Sequence, residues 1–205
     1  MAVGDRHLQS FRARFHSRRP LTIAGIGDSL TYGWMVSRGF FDRFVDNLIA
    51  KNGREIVASI NAGVPGDTAA GGLRRVPEIL RQSPHVVIIQ FGLNDMYQGV
   101  PVDRFEETVS ALVEQVLLAD SIPVPVTSCP LNWPEGEATA VRFYDRIRRV
   151  GETWEVPVAS LDDHWRRAVR SSEAWDRLVQ SDDVHPTDEG HALMAAGLFN
   201  YLVIE

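Results

Sequence analysis

Residues 21–30 read Leu-Thr-Ile-Ala-Gly-Ile-Gly-Asp-Ser-Leu, an apolar run that ends in a small, polar turn. Apolar residues of this kind, bounded by glycine, are typical of a buried strand. A serine placed directly after such a strand can expose its hydroxyl while neighbouring backbone N–H groups point the same way. The same residue types also form ordinary turns and helix caps. The stretch therefore predicts a strand followed by a loop, and it leaves both interpretations of Ser29 open.

Similar short apolar runs recur along the chain and alternate with stretches of helical period. This alternation is typical of strands and crossover helices that build a parallel sheet. The sequence therefore predicts an α/β fold with a parallel sheet. We predict five strands, at residues 21–26, 55–60, 86–91, 122–127 and 156–160.

Two of the intervening helices have clear signals. Apolar residues between positions 40 and 49 repeat at helical spacing, and Asn52-Gly53 predicts the end of that helix. Further along, Asp103 together with Glu106 predicts a capping box at the start of another helix.

The composition is that of a single globular domain. The chain has 205 residues, 44% of them apolar, which is enough for one well-filled core. We expect residues 21–205 to form this domain and residues 1–20 to be an N-terminal extension. The formal net charge of −6 argues against nucleic acid as a partner, because a phosphate backbone requires a basic face.

The cysteine count predicts the cellular compartment, and the hydropathy pattern shows whether a membrane span is expected. Cys129 is the only cysteine, so an internal disulfide is excluded and a reducing cytoplasm is predicted. No apolar run approaches the roughly 18 residues that a membrane span needs, so we expect no membrane span.

Candidate site residues follow the predicted strands, because open α/β sheets bind ligands beyond the carboxyl ends of their strands. After the second strand, the backbone N–H of Gly66 is open to close approach by an oxyanion, since glycine has no side chain. After the third strand, Asn94 offers its side-chain amide to the same group. Taken alone, each residue is equally compatible with an ordinary turn.

A histidine and a carboxylate near the carboxyl end complete the set. Asp182 stands three residues before His185, a spacing at which it can accept a hydrogen bond from Nδ1–H. The histidine Nε2 is then free to take the proton of Ser29. Asp183 is interpreted as a loop or surface carboxylate.

Taken in order, Ser29, Gly66, Asn94 and His185 resemble the four motif blocks of the SGNH/GDSL hydrolase family, spread over nearly the whole chain. The resemblance implies a flavodoxin-like three-layer α/β/α sandwich with a five-stranded parallel sheet. It implies Ser29 as nucleophile, His185 as base and Asp182 as the third member of a triad. It also implies an oxyanion hole made by the backbone N–H groups of Ser29 and Gly66 and the side chain of Asn94. The implied activity is hydrolysis of small-molecule carboxylic esters with small or medium acyl groups, without a cofactor.

Substrate contacts are predicted from position alone, beside the same strand ends, and packing in the core or in loops is an equally good interpretation of these residues. The candidates are Trp34, Met35, Met96, Tyr97, Leu131 and Trp133. An apolar and aromatic mouth suits an acyl chain or an aryl alcohol. Because aromatic rings also stack on sugars, a carbohydrate O-acetylesterase is an alternative, as is a lysophospholipase or thioesterase.

Two alternatives come from other classes of protein. Asp182, Asp183, His185 and His191 could ligate a divalent metal in a phosphoesterase, since such ions accept carboxylate and imidazole together. We expect no metal, because Ser29 would then have no role. The second alternative is a non-catalytic binding module on the same fold.

Overall fold

The computed structural model describes residues 5–169 and 171–204, so residues 1–4 of the predicted N-terminal extension lie outside it. The strands are β1 (Leu21–Gly27), β2 (Val57–Gly63), β3 (Val86–Gln90) and β4 (Ile122–Val126). They form a central parallel sheet in the order β2-β1-β3-β4. The α/β class and the parallel sheet are confirmed.

The predicted fifth strand is reduced to a single parallel bridge between Val126 and Ala159. The Ala159 N–H donates to the carbonyl of Pro125 at 3.1 Å, and its own carbonyl accepts from Thr127 N–H at 3.2 Å. Pro125 therefore faces this segment, and so does Pro123, because alternate residues of a strand face the same neighbour. Neither proline has an N–H to donate. The described sheet thus has four strands instead of five.

Helices cover both faces of the sheet. They are α1 (Asp5–His16), α2 (Ser29–Tyr32), α3 (Phe40–Asn52), α4 (Ala69–Leu80), α5 (Leu93–Tyr97), α6 (Val102–Leu118), α7 (Pro134–Trp154), α8 (Leu161–Ala168), α9 (Ser172–Leu178) and α10 (Asp188–Phe199), which continues into a π-helical turn at Asn200–Ile204. In one layer, α6 packs against both α4 and α7. In the other layer, α3 packs against α10.

The two helix signals in the sequence have different outcomes. Helix α3 is confirmed: its apolar stripe is buried, and Gly53 ends it at a φ of 97°. The predicted capping box of Asp103 and Glu106 is wrong. Pro101 occupies the cap position, so the helix begins at Val102 and no side chain caps it. Asp103 and Glu106 instead both pair with Arg146, at 2.8 and 2.7 Å.

The N-terminal segment packs as helix α1 against the end of the chain. Phe11 and Phe15 are buried in the main core. Arg12 donates to the carbonyls of Tyr201 and Leu202 at 2.8 and 3.0 Å. In residues 5–169 and 171–204, no helix has the length and apolar character needed to cross a bilayer. The cytoplasmic compartment stays a prediction.

Candidate active site

The predicted site residues emerge from one edge of the sheet because their strands are neighbours in register. Gly27, the last residue of β1, pairs with Gly63 at the end of β2 and with Gln90 at the end of β3. Ser29 follows two residues after the first strand end, and Gly66 and Asn94 follow three and four residues after the other two. The register of the sheet therefore brings these three loops together.

Ser29 is the first residue of the short helix α2. Asp28 caps this helix by accepting the Leu30 N–H at 2.9 Å. Gly33 ends it in the left-handed conformation, with a φ of 85°. Ser29 is only 7% exposed, and its Oγ lies 2.9 Å from His185 Nε2. The hydroxyl is thus within hydrogen-bond reach of a base.

Asp182 holds the histidine from the other side. Its Oδ2 lies 2.7 Å from His185 Nδ1, while Oδ1 accepts the backbone N–H groups of Val184 and His185 at 3.0 and 2.9 Å. Partial burial opposes ionisation, but these hydrogen bonds prevail and lower the pKa of Asp182. Asp183 is exposed, with a φ of 57°, as the interpretation of a surface carboxylate expects. The structure therefore brings Ser29, His185 and Asp182 into one line of contacts.

Gly66 and Asn94 lie beside each other across the sheet edge. The Asn94 amide donates to the carbonyl of Asp67 at 3.0 Å, directly after Gly66. The Asp67 side chain is paired with Arg75 at 2.6 Å, and Arg75 also donates to the carbonyl of Ala62 at 2.9 Å. These contacts fix the loop after β2. Gly66 has a φ of 78°, in the left-handed region, and a Cβ there would meet nothing within 4 Å.

A buried polar network behind Ser29 was not predicted. Gln90 ends an otherwise apolar strand, Val-Val-Ile-Ile-Gln, and this single polar residue in a buried run is the signal that the sequence offered. Its amide contacts Asp28, Thr31 and Ser128. Burial raises the pKa of Asp28 to about 7.

A second buried carboxylate lies next to Asn94. Asp95 accepts the Ala69 N–H at 3.1 Å and so holds the first turn of helix α4. Burial raises the pKa of this carboxyl to about 6, although the hydrogen bond from Ala69 acts in the opposite direction. Asp95 therefore ties the loop after β3 to the helix that follows Gly66.

Exposed apolar side chains gather on the three loops. Of the seven large hydrophobic residues exposed in the described chain, five lie just after β1, β2 or β3. Three of them were predicted substrate contacts: Trp34, Met35 and Tyr97, which are 43, 71 and 50% exposed. Tyr32 and Val64 were not predicted. We call these five residues the apolar rim.

The other three predicted substrate contacts pack inward. Leu131 is buried and its N–H donates to Glu137 at 2.7 Å. The ring of Trp133 covers Gly136, where a Cβ would meet the indole at 2.1 Å. Met96 packs against the core. The packing interpretation therefore suits these three side chains better than substrate contact.

His191 is held by a structural hydrogen bond. It lies inside α10, and its Nδ1 accepts the Phe40 N–H at 3.0 Å. Burial, followed by the nearby Arg43 charge, lowers its pKa to about 4. Across residues 5–169 and 171–204, no cluster of three or more His, Cys, Asp or Glu side chains is arranged to hold a metal ion.

Comparison with known proteins places this geometry in a family. An arylesterase of Vibrio mimicus is 26% identical over 183 residues, which cover 87% of this chain and 86% of that protein. The thioesterase 1/protease 1/lysophospholipase L1 of Escherichia coli K12 is 24% identical, over 85% of this chain and 79% of that protein.

The chain is also similar to proteins of known structure. The lipase/acylhydrolase from Enterococcus faecalis has a TM-score of 0.73 at 26% identity, covering 88% of this chain and 94% of that one. An acetylxylan esterase from Geobacillus stearothermophilus shares the fold, with a TM-score of 0.80 at 19% identity over 91% and 96% of the two chains. Residues 26–193 match the GDSL-like Lipase/Acylhydrolase family. Because this match spans most of the chain and includes every strand-end loop described above, the chain belongs to the GDSL-like lipase/acylhydrolase family.

Proposed function

We propose that this chain is a serine esterase that hydrolyses carboxylic ester bonds of small or medium acyl substrates. The observation that carries the proposal is the unbroken line of contacts from Ser29 Oγ to His185 Nε2 at 2.9 Å and from His185 Nδ1 to Asp182 at 2.7 Å. A serine activated by a histidine that a carboxylate orients is the arrangement used for acyl transfer.

In the acylation half, His185 Nε2 takes the Ser29 proton as Oγ attacks the ester carbonyl. The carbonyl π electrons move to oxygen and give a tetrahedral oxyanion. Collapse of this intermediate re-forms the C=O bond and expels the alcohol, which takes its proton from His185. Asp182 stabilises the imidazolium while it exists, because its carboxylate faces Nδ1.

Deacylation repeats these steps with water. His185 removes a proton from the water as it attacks the acyl-serine, and then returns that proton to Ser29 Oγ as the carboxylic acid leaves. Three donors are proposed for the oxyanion in both halves: the N–H groups of Ser29 and Gly66 and the amide of Asn94. Ser29 begins a helix, so its N–H has no partner within that helix. The reaction needs no cofactor.

The apolar rim supports an ester with an aryl or short alkyl group. Its Tyr32 and Trp34 rings lie 6.4 Å apart at 47°, and both are exposed beside the Ser29 turn. An exposed aromatic pair suits a flat, weakly polar group. The similarity to an arylesterase points to the same class. Esters of lysophospholipids, thioesters and sugar acetates are the competing substrates.

The test measures hydrolysis of p-nitrophenyl acetate, butyrate and octanoate by the wild type and by Ser29→Ala, with Ser10→Ala as the control. Ser10 is exposed on α1. We expect Ser29→Ala to lose turnover and labelling by a fluorophosphonate probe, while Ser10→Ala keeps both. Full activity of Ser29→Ala would overturn the proposal.

The same preparations separate the alternatives. Loss of activity on chelation, restored by a divalent metal, would favour a metal-dependent phosphoesterase. A wild type that neither hydrolyses any ester nor reacts with the probe would favour a binding module. Release of acetate from acetylated sugars, faster than hydrolysis of the aryl esters, would reassign the alcohol to a carbohydrate.

A further inference from the structure

Gln90 has a buried side-chain amide whose nitrogen and oxygen both make hydrogen bonds. It is the last residue of β3 and is fully buried. Its Nε2 donates to Asp28 Oδ2 at 3.2 Å and to Ser128 Oγ at 3.0 Å. Its Oε1 accepts the Thr31 hydroxyl at 2.9 Å. All four residues are at most 1% exposed, so water does not compete for these hydrogen bonds.

The contacts of Gln90 lie on either side of Ser29. Asp28 precedes the serine directly and Thr31 follows it by two positions. The other oxygen of Asp28 accepts the Leu30 N–H at 2.9 Å. One amide on the neighbouring strand thus holds the turn before and after the nucleophile. A side chain at Gly27 would break this arrangement, since its Cβ would lie 2.1 Å from Thr31 Oγ1.

Stability alone does not require this network. Placing a carboxyl and an amide in a fully buried position opposes folding unless every hydrogen bond is made. An apolar residue at position 90 would leave Asp28, Thr31 and Ser128 without this partner, so a stable apolar alternative would need all four positions changed. Burial, together with the nearby charges of Asp95 and Asp67, disfavours the ionised form of Asp28, while the hydrogen bonds from Leu30 and Gln90 favour it.

We propose that Gln90 is a positioning residue for the esterase reaction: through Asp28 and Thr31 it sets the direction in which Ser29 Oγ meets His185 Nε2. The inference rests on the proposed function, since it assigns Gln90 a role in placing the nucleophile. A small displacement of reacting groups can lower a rate by about 10²-fold. The expected defect is therefore in turnover and not in substrate affinity.

A reciprocal exchange of the two functional groups tests the proposal. Gln90→Glu removes the amide donor and places two carboxyl groups against each other, which repel each other unless they share a proton. Adding Asp28→Asn restores one donor and one acceptor at this contact, and the hydroxyls of Thr31 and Ser128 can both donate to the new carboxylate. The net charge of the double variant equals that of the wild type. Gln82→Glu makes the same chemical change on an exposed residue before the other end of β3 and serves as the control.

We expect Gln90→Glu to lower kcat and the rate of fluorophosphonate labelling by about 10²-fold, with KM within about twofold of the wild type. The double variant should recover at least about tenfold of the lost kcat, and Gln82→Glu should match the wild type. Wild-type turnover of Gln90→Glu would overturn the proposal. So would a double variant that melts like the wild type but stays as slow as Gln90→Glu. If Gln90→Glu does not fold, the double variant decides the question. It must melt at the wild-type temperature, and its kcat is then compared with that of the wild type.

Ser29→Ala, assayed in the same series, separates the two proposals. If Ser29→Ala keeps its activity, the proposed function fails. If Ser29→Ala is inactive while Gln90→Glu turns over like the wild type, only the positioning role of Gln90 fails.

Discussion

Asp182 contacts His185 at two points, with Oδ2 at 2.7 Å from the ring Nδ1 and Oδ1 at 2.9 Å from the backbone nitrogen. The second contact fixes the carboxylate relative to the loop that carries the histidine. The first sets the ring orientation in which Nε2 faces Ser29 at 2.9 Å. One aspartate thus contacts both the ring and the backbone of the proposed base.

Asp182→Asn and Asp183→Asn form a matched pair, because each removes one carboxylate from the same loop. Asp182→Asn should lower kcat by about 10²-fold or more, since an amide nitrogen facing Nδ1 favours the wrong tautomer. Asp183→Asn should stay within about twofold of the wild type, because it is the Asp182 carboxylate that faces His185 Nδ1. Steady-state hydrolysis of p-nitrophenyl butyrate measures both. The opposite ranking would assign the acid to Asp183.

Asn94→Ala should reduce kcat by about 10² to 10³-fold with little change in KM, as expected when one oxyanion donor is lost. The variant should remain folded, because the lost hydrogen bond to the Asp67 carbonyl is a single contact at a partly buried position. Asn47→Ala, on the exposed face of α3, is the control. A kcat within a few-fold of the wild type would remove Asn94 from the oxyanion hole.

Gly66→Ala and Gly99→Ala compare two glycines in the same backbone conformation. Their φ values are 78° and 69°, and in both places a Cβ would meet nothing within 4 Å. Each substitution should cost about 1 kcal/mol of unfolding free energy in urea titrations, because the left-handed conformation disfavours a Cβ. Only Gly66→Ala should also slow turnover, by roughly tenfold or more. Relief of the backbone strain at position 66 would move the loop and, with it, the N–H proposed as an oxyanion donor. Equal turnover in the two variants would contradict this.

The sequence predicted the parts of the fold that depend on local pattern. The stripe of α3 and the placement of Ser29, Gly66 and Asn94 after strands required only periodicity and the rule that parallel strands end at one edge. The fifth strand was wrong for a local reason as well. Pro123 and Pro125 lie on the side of β4 that faces that segment, and neither has an N–H with which to pair. Apolar periodicity alone does not show which neighbouring strand a proline faces.

The Gln90 network could not be predicted, because it depends on which strands are neighbours. Gln90 meets Asp28 only because β3 lies directly beside β1. The packing of α1 could not be predicted either, because it depends on contacts with the other end of the chain. Residues 1–20 were predicted to be an N-terminal extension, yet the Arg12 guanidinium donates to carbonyls about 190 residues away in sequence.

The pH dependence of stability should report on Asp28. Burial raises its pKa to about 7 in the folded protein, against about 3.9 in an unfolded chain. The folded state therefore holds this proton more tightly, and the resulting stability is complete below about pH 4 and is lost as the pH rises through 7. Asp28→Asn lacks this contribution, so its unfolding free energy should vary less with pH.

Urea titrations at pH 5 and pH 8 measure the effect. Between these values the wild type should lose about 2 kcal/mol more than Asp28→Asn. The raised pKa of Asp95 and the lowered pKa of His191 also change stability in this range, in opposite directions. Both proteins contain these groups, so the comparison removes the part of their contributions that does not depend on Asp28. Asp183→Asn removes an exposed carboxylate and should follow the wild type at both pH values. If Asp28→Asn also follows the wild type, the buried carboxyl does not bind its proton more tightly in the folded state.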